Sequence, residues 1–162
     1  MEYIISLFNN EDATEIKQLI HRAMLETNIQ DYSLESLQED MKAIDEEMLI
    51  ERASFTHFYV FRDEDKIVGT GAIGPYWDSL IESSLFTIFV LPDYQGKGLG
   101  RLIIETLEKD EFFKRASRVE VPASITAVDF YKKFGYVVKP GVTGPDEEGI
   151  IRMEKFKEND LG

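Results

Sequence analysis

The chain has 162 residues, 43% of them apolar, including 11 Phe, 7 Tyr and one Trp, so it carries the core of one ordinary domain and is not a disordered segment. Its 18 Lys and Arg stand against 31 Asp and Glu, a net charge of −13. This argues against nucleic acid and anionic membranes as partners, because phosphate contacts require a cationic patch. Cys is absent, which excludes disulfides, cysteine catalysis and thiolate metal sites. The two His residues, His21 and His57, lie far apart in the chain and are read as structural, so no metal centre is expected.

The N-terminal Met-Glu-Tyr-Ile-Ile-Ser-Leu-Phe carries an acid where a signal peptide has Lys or Arg, and no apolar stretch approaches the roughly 20 residues that span a bilayer. The expectation is a cytoplasmic protein. Residues 3–8 read as a strand. Asn9 to Asp12 supply capping oxygens for a helix over 11–26, where Ile16, Leu19, Ile20 and Ala23 recur at helical spacing. A second helix is predicted over Ser33–Glu47, with Leu34, Leu37, Met41, Ile44 and Met48 as its stripe. Such a stripe packs on a sheet, and it also leaves a homodimer open. Phe55–Arg62 and Lys66–Ile73 form a hairpin around Asp63-Glu64-Asp65. Leu85–Leu91 is a continuous apolar run, as expected of a strand covered on both faces.

Pro92 ends that strand, a glycine-rich turn occupies 95–100, and a helix runs from Leu99 to about Phe113. A short strand over Arg118–Val121 is closed by Pro122. A helix follows over Ile125–Phe134, with Gly135 as its stop, and strands over Tyr136–Lys139 and Gly149–Phe156 end the pattern. Mixing of hairpins and crossovers predicts an α/β fold, with a mixed sheet flanked by helices on both faces. Residues 1–157 form a single domain and 158–162 a polar tail.

The segment that carries chemistry is Ile88-Phe89-Val90-Leu91-Pro92-Asp93-Tyr94-Gln95-Gly96-Lys97-Gly98-Leu99-Gly100-Arg101. A strand runs into a turn that opens a helix, so free N–H groups and the positive helix end converge, and glycines let an anion approach the backbone. Lys97 and Arg101 add cations there. The Walker pattern lacks its Ser or Thr, and the Gly96-x-Gly98-x-Gly100 spacing misses the dinucleotide fingerprint. A purely structural turn also accounts for these glycines.

Gln95-x-x-Gly98-x-Gly100 after an apolar strand resembles the acyl-CoA pyrophosphate loop of the GCN5-related N-acetyltransferases (GNAT). Ala127-x-x-Phe130-Tyr131-x-x-x-Gly135-Tyr136 resembles a later segment of the same family. The resemblance spans about 85–140, and the element order extends it to nearly the whole chain. It implies the family's mostly antiparallel sheet of six to seven strands.

The resemblance further implies acetyl-CoA as co-substrate, with no metal, in an opening where strands 85–91 and 118–121 part. Main-chain groups at Phe89 and Val90 would pair with the pantetheine. Gln95, with the amides of Gly96, Lys97, Gly98 and Gly100, would hold the pyrophosphate, with Arg101 on the same turn. A primary amine would attack the thioester directly, the amide of Val90 would stabilise the oxyanion, and Tyr131 would protonate the departing thiolate. Tyr131 also falls on the apolar stripe of its helix, where periodicity alone makes it a core aromatic. Where the family often has Asn for a CoA contact, this chain has Ser124. Glu120, between Arg118 and Pro122, is a candidate base acting through water, and is equally read as a surface strand acid.

Residues 1–52 hold 13 acids and 4 bases. With Asp146, Glu147 and Glu148 they would rim the acceptor side and attract a cationic small molecule or peptide. Tyr32, Tyr76 and Trp77 could line that pocket or anchor loops. A non-catalytic acyl-CoA sensor is the alternative reading.

Overall fold

The computed structural model describes residues 2–157, so the predicted tail at 158–162 lies outside the described residues. Seven strands form one sheet in the order β1-β2-β3-β4-β5-β7-β6. They are β1 (Ile4–Leu7), β2 (His57–Asp63), β3 (Lys66–Pro75), β4 (Glu82–Val90), β5 (Arg118–Ser124), β6 (Val137–Val138) and β7 (Ile150–Phe156). Only β4 and β5 pair in parallel; every other neighbouring pair is antiparallel. The α/β mixed sheet expected from the sequence is therefore present.

Helix α1 (Ala13–Glu26) turns Ile16, Leu19, Ile20 and Ala23 into the core. Helix α4 (Leu99–Glu108) covers the other face of the sheet. It lies so close to β3 that a Cβ on Gly71 would come within 2.6 Å of Ile103 Cγ2. This is a close approach that only glycine permits.

The single helix predicted over 33–47 is two helices, α2 (Leu34–Ala43) and α3 (Glu46–Phe55). Ile44 is extended, and the Asp45 carboxylate accepts the Met48 N–H at 2.9 Å, capping a new helix. The apolar stripe runs through this break, because the chain turns while Leu37, Met41, Ile44 and Met48 all stay against the same core. Helix α3 then takes in Phe55, read as the first residue of β2. Asp110 makes the second unforeseen break: it accepts the Phe112 N–H at 2.8 Å and starts α5 (Glu111–Arg115).

Strand β5 passes through Pro122 instead of ending there. Pro122 pairs with Arg152 of β7 and lies beyond the last β4 partner, on an open edge that tolerates a missing N–H. The predicted helix over 125–134 is a 3-10 turn followed by α6 (Val128–Lys132). Gly135, at φ +91°, lets the chain leave α6 with the Tyr136 N–H bonded to Tyr131 O.

Candidate active site

Strands β4 and β5 pair only over Glu82–Ser84 and Arg118–Glu120, then part. The parting has a local cause. Between the pairs Phe86–Ala72 and Phe89–Thr70, β4 carries one residue more than β3, a bulge in which Thr87 takes φ +52°. A bulge bends its strand and raises its twist. The Thr70 hydroxyl donates to Thr87 O at 2.8 Å and holds the bulge in place. The result is a cleft of about 940 Å³, within the size range of small-molecule sites.

Charges lock the base of the opening. Arg118 on β5 pairs with Glu82 of β4 at 2.9 Å, Glu154 of β7 at 2.9 Å and Glu120 at 3.2 Å. Lys139 and Arg152 reach Glu120 at 2.7 and 3.4 Å. Glu120 is 1% exposed and does not line the cleft, which corrects the reading of it as a surface acid. Burial raises its pKa, but the hydrogen bonds from Lys139 and Arg118 outweigh this and hold the carboxyl below its ordinary value.

One wall of the cleft is backbone. The Leu91 N–H donates to Val68 O at 2.8 Å, so alternation turns the N–H and C=O of Val90 away from β3 and into the opening. The same alternation gives the main chain of Phe89 to its β3 partner Thr70, although Phe89 lines the cleft. Gln95 also lines it, and its Nε2 donates to Val90 O at 3.4 Å.

Beyond Gln95, the N–H groups of residues 96–101 find no acceptor among the described residues; the next donor is Leu102, bonded to Gly98 O at 3.1 Å. Gly96 and Gly98 stand at φ +73° and +80°, and a Cβ on either would meet nothing within 4 Å, so the turn is uncrowded at these two positions. Gly100 is glycine for another reason: its Cβ would fall 2.9 Å from the Phe130 ring. Six unbonded amides at a helix N-terminus form an anion-binding arrangement. Arg101 lines the cleft and stacks on Phe134 at 5.1 Å, whereas Lys97 does not line it and rests over Tyr94 at 5.4 Å.

Ser124 and Tyr131 both line the cleft. Tyr131 is 5% exposed, and burial pushes its phenol pKa well above the ordinary 10.0, so it stays protonated at neutral pH.

The other wall is made of side chains from distant segments. Tyr32 donates to Gly149 O and accepts the Ile125 N–H at 2.8 Å, tying the start of β7 to the end of β5. Asp40, Glu148 and Arg52 also line the cleft. Tyr76 and Trp77 do not; Trp77 is 86% exposed, and Tyr76 carries the Arg118 guanidinium at 4.9 Å. His21 bonds Ile44 O and His57 bonds Asp110, both outside the cleft. Arg52 and the bulge at Thr87 escaped the sequence reading. Arg52 lies on an unforeseen helix, and its contact with Thr87 joins residues 35 apart.

Among the described residues, no helix is long and apolar enough to cross a membrane. Residues 28–155 match the family model of the acetyltransferase (GNAT) domain, most of the chain, and the chain belongs to the GNAT family. It is 27% identical over 84 residues to GCN5-related N-acetyltransferase 2, chloroplastic, of Arabidopsis thaliana, covering 51% of this chain and 32% of that one. It is 32% identical over 68 residues to the uncharacterized N-acetyltransferase ycf52 of Pyropia yezoensis, covering 41% and 39%. The matches thus span 32% and 39% of those relatives' own length.

Two solved structures share the fold over nearly the whole chain. One is the PaiA N-acetyltransferase of Thermoplasma acidophilum, solved in complex with coenzyme A, with a TM-score of 0.81, 18% identity and coverage of 97% and 100%. The other is the ribosomal-protein-S18-alanine N-acetyltransferase of Escherichia coli, with a TM-score of 0.67, 20% identity and coverage of 99% of both chains.

Proposed function

We propose that this protein moves an acetyl group from acetyl-CoA to a primary amine. One observation carries the reading: a single cleft, lined by Gly96, Gly98, Gly100 and Arg101 of the turn with unbonded amides, also holds the buried, protonated Tyr131. The amides and Gln95 bind the pyrophosphate, Arg101 adds a cation, and Ser124 offers a hydroxyl to the same ligand. The exposed main chain of Val90 orients the pantetheine arm as an added strand would be oriented, and its N–H stabilises charge on the thioester oxygen. The amine nitrogen bonds to the acyl carbon and loses a proton to water. As the C–S bond breaks, Tyr131 gives its proton to the sulfur and regains one from solvent.

Calorimetric titration with acetyl-CoA, with ATP and NAD as controls, tests this, repeated on Gly98→Glu. Binding of acetyl-CoA alone, lost in the variant and followed by amine-dependent release of free CoA, is the expected result. Binding without CoA release across an amine panel would make the protein a sensor of acyl-CoA. A folded protein that does not bind acetyl-CoA would end the reading.

A further inference from the structure

The acceptor side was expected to be an acidic rim, but the cleft wall there also holds an arginine without a carboxylate. Arg52 reaches from α3 to β4, where Nη1 donates to Thr87 Oγ1 at 2.9 Å and the guanidinium lies 4.7 Å from the centre of the Phe86 ring. These two contacts fix both the plane and the direction of the group. A guanidinium has five N–H donors, and Thr87 Oγ1 is the only acceptor bonded to this one among the described residues.

The other arginines that line the cleft are committed elsewhere: Arg152 faces Glu120 at 3.4 Å, and Arg101 stacks on Phe134 beside the glycine turn. Arg52 makes no salt bridge among the described residues, and burial pulls its pKa down by more than the nearby Glu51 raises it. Its anchor, Thr87, is the bulge residue of the strand whose Val90 amide faces the opening, so the guanidinium sits beside the reacting region and not at the pyrophosphate end.

Two acids complete the wall. Asp40 and Glu148 both line the cleft, and the Asp40 carboxyl is pushed up, first by burial and then by Glu148. A buried carboxylate with another acid facing it favours a cation beside it. An oriented guanidinium with spare donors in the same cleft as two mutually repelling acids suits a ligand with both charges.

We propose that the acceptor is a zwitterion, an amine that also bears a carboxylate, with Arg52 binding the carboxylate and Asp40 and Glu148 drawing in the ammonium before it loses its proton. This rests on the acetyltransferase reading above and specifies its second substrate. A planar fork of N–H donors matches a carboxylate bidentately, which lysine does not.

The experiment measures CoA release from acetyl-CoA with matched amines: L-methionine against L-methioninamide, and L-lysine against cadaverine. It uses the unaltered protein, Arg52→Met and Arg52→Lys, and follows acetyl-CoA binding by calorimetry for each. The expected result is turnover of at least one carboxylate-bearing amine, with kcat/KM for its carboxylate-free partner lower by roughly 10- to 100-fold. Arg52→Met should erase that preference through KM, with acetyl-CoA binding retained, and Arg52→Lys should restore part of it.

Equal or better turnover of the carboxylate-free partners overturns the proposal and leaves the acetyltransferase reading intact. So does failure of every carboxylate-bearing amine with a protein that binds acetyl-CoA, or a preference that survives Arg52→Met. If Arg52→Met itself loses acetyl-CoA binding, the matched pairs on the unaltered protein and on Arg52→Lys decide. Absence of acetyl-CoA binding in the unaltered protein is a different failure, which removes the acetyltransferase reading and this proposal with it.

Discussion

The two walls of the cleft are built from different material. The wall proposed to hold the donor is main chain: the exposed edge of Val90 and six amides in one short turn, positioned by glycine φ angles. The wall proposed for the acceptor is side chain: Tyr32, Asp40, Arg52 and Glu148, from segments that meet only in the folded protein. Backbone recognition depends on few side-chain identities, so a wall of amides serves one invariant ligand. A wall of side chains can be changed residue by residue and suits a substrate that differs from one member of a family to the next. The contrast predicts that substitutions will fall into three groups: those that damage both walls, one wall, or neither.

Glu120 should damage both, because its network fastens β4, β5 and β7 where the walls meet. Glu120→Gln keeps the shape and leaves Lys139 without its carboxylate. Removing one partner of a buried ion pair costs about 3–5 kcal/mol, and urea unfolding at pH 7 should show a loss of this order. The folded pKa is depressed, so the carboxylate's contribution is complete above the ordinary 4.5 and is lost as the pH falls through the lower folded value. The gap between the two proteins should therefore close in acid. A gap that is unchanged at pH 3 would mean that the charge is not what matters.

Tyr131 should spare both walls. Tyr131→Phe removes the proton donor without touching either binding surface, so kcat should fall by about 100-fold or more with both KM values within a factor of about three. Since burial raises its pKa, the alkaline limb of kcat should lie above pH 10. A pH-rate profile of the unaltered enzyme with a limb near neutrality would remove Tyr131 from the role. Tyr32 should affect the acceptor wall alone. Tyr32→Phe breaks bonds to Gly149 and Ile125, a loss of about 1–3 kcal/mol. The acceptor KM should rise while acetyl-CoA affinity stays.

The same division explains what the sequence revealed. The main-chain wall was legible because everything its geometry needs is local: an apolar strand, a proline stop, and glycines at 96 and 98 where the chain takes positive φ. The sheet was legible from alternation and apolar runs. The bulge at Thr87 was not, since an unbroken apolar run shows no register. The break at Ile44 was hidden because the stripe keeps its spacing across it, although Asp45 carried a cap signal. Glu120 looked like an alternating surface acid because its partners, Lys139 and Arg152, arrive from segments far along the chain. The side-chain wall depends on such distant meetings throughout: counting acids gave the sign of residues 1–52 and said nothing of Arg52, which lines the cleft.

The smallest effect is the sharpest test of a wall made of backbone. Gly98→Ala adds a single methyl that meets nothing within 4 Å, so no packing explains any consequence. What remains is conformational. At φ +80° an L side chain is strained by roughly 1–2 kcal/mol, offset in part by about 0.4–1 kcal/mol through the stiffer unfolded chain. Thermal unfolding should thus show a loss of only about 1 kcal/mol. Acetyl-CoA affinity should nonetheless drop several-fold, because the turn relieves its strain by swinging the amides of residues 96–101 out of convergence, while acceptor KM at saturating acetyl-CoA should not move. An unchanged acetyl-CoA affinity in a variant that has lost that stability would show that side chains, Gln95 and Arg101 first, hold the pyrophosphate, and the distinction between the two walls would fail at the donor end.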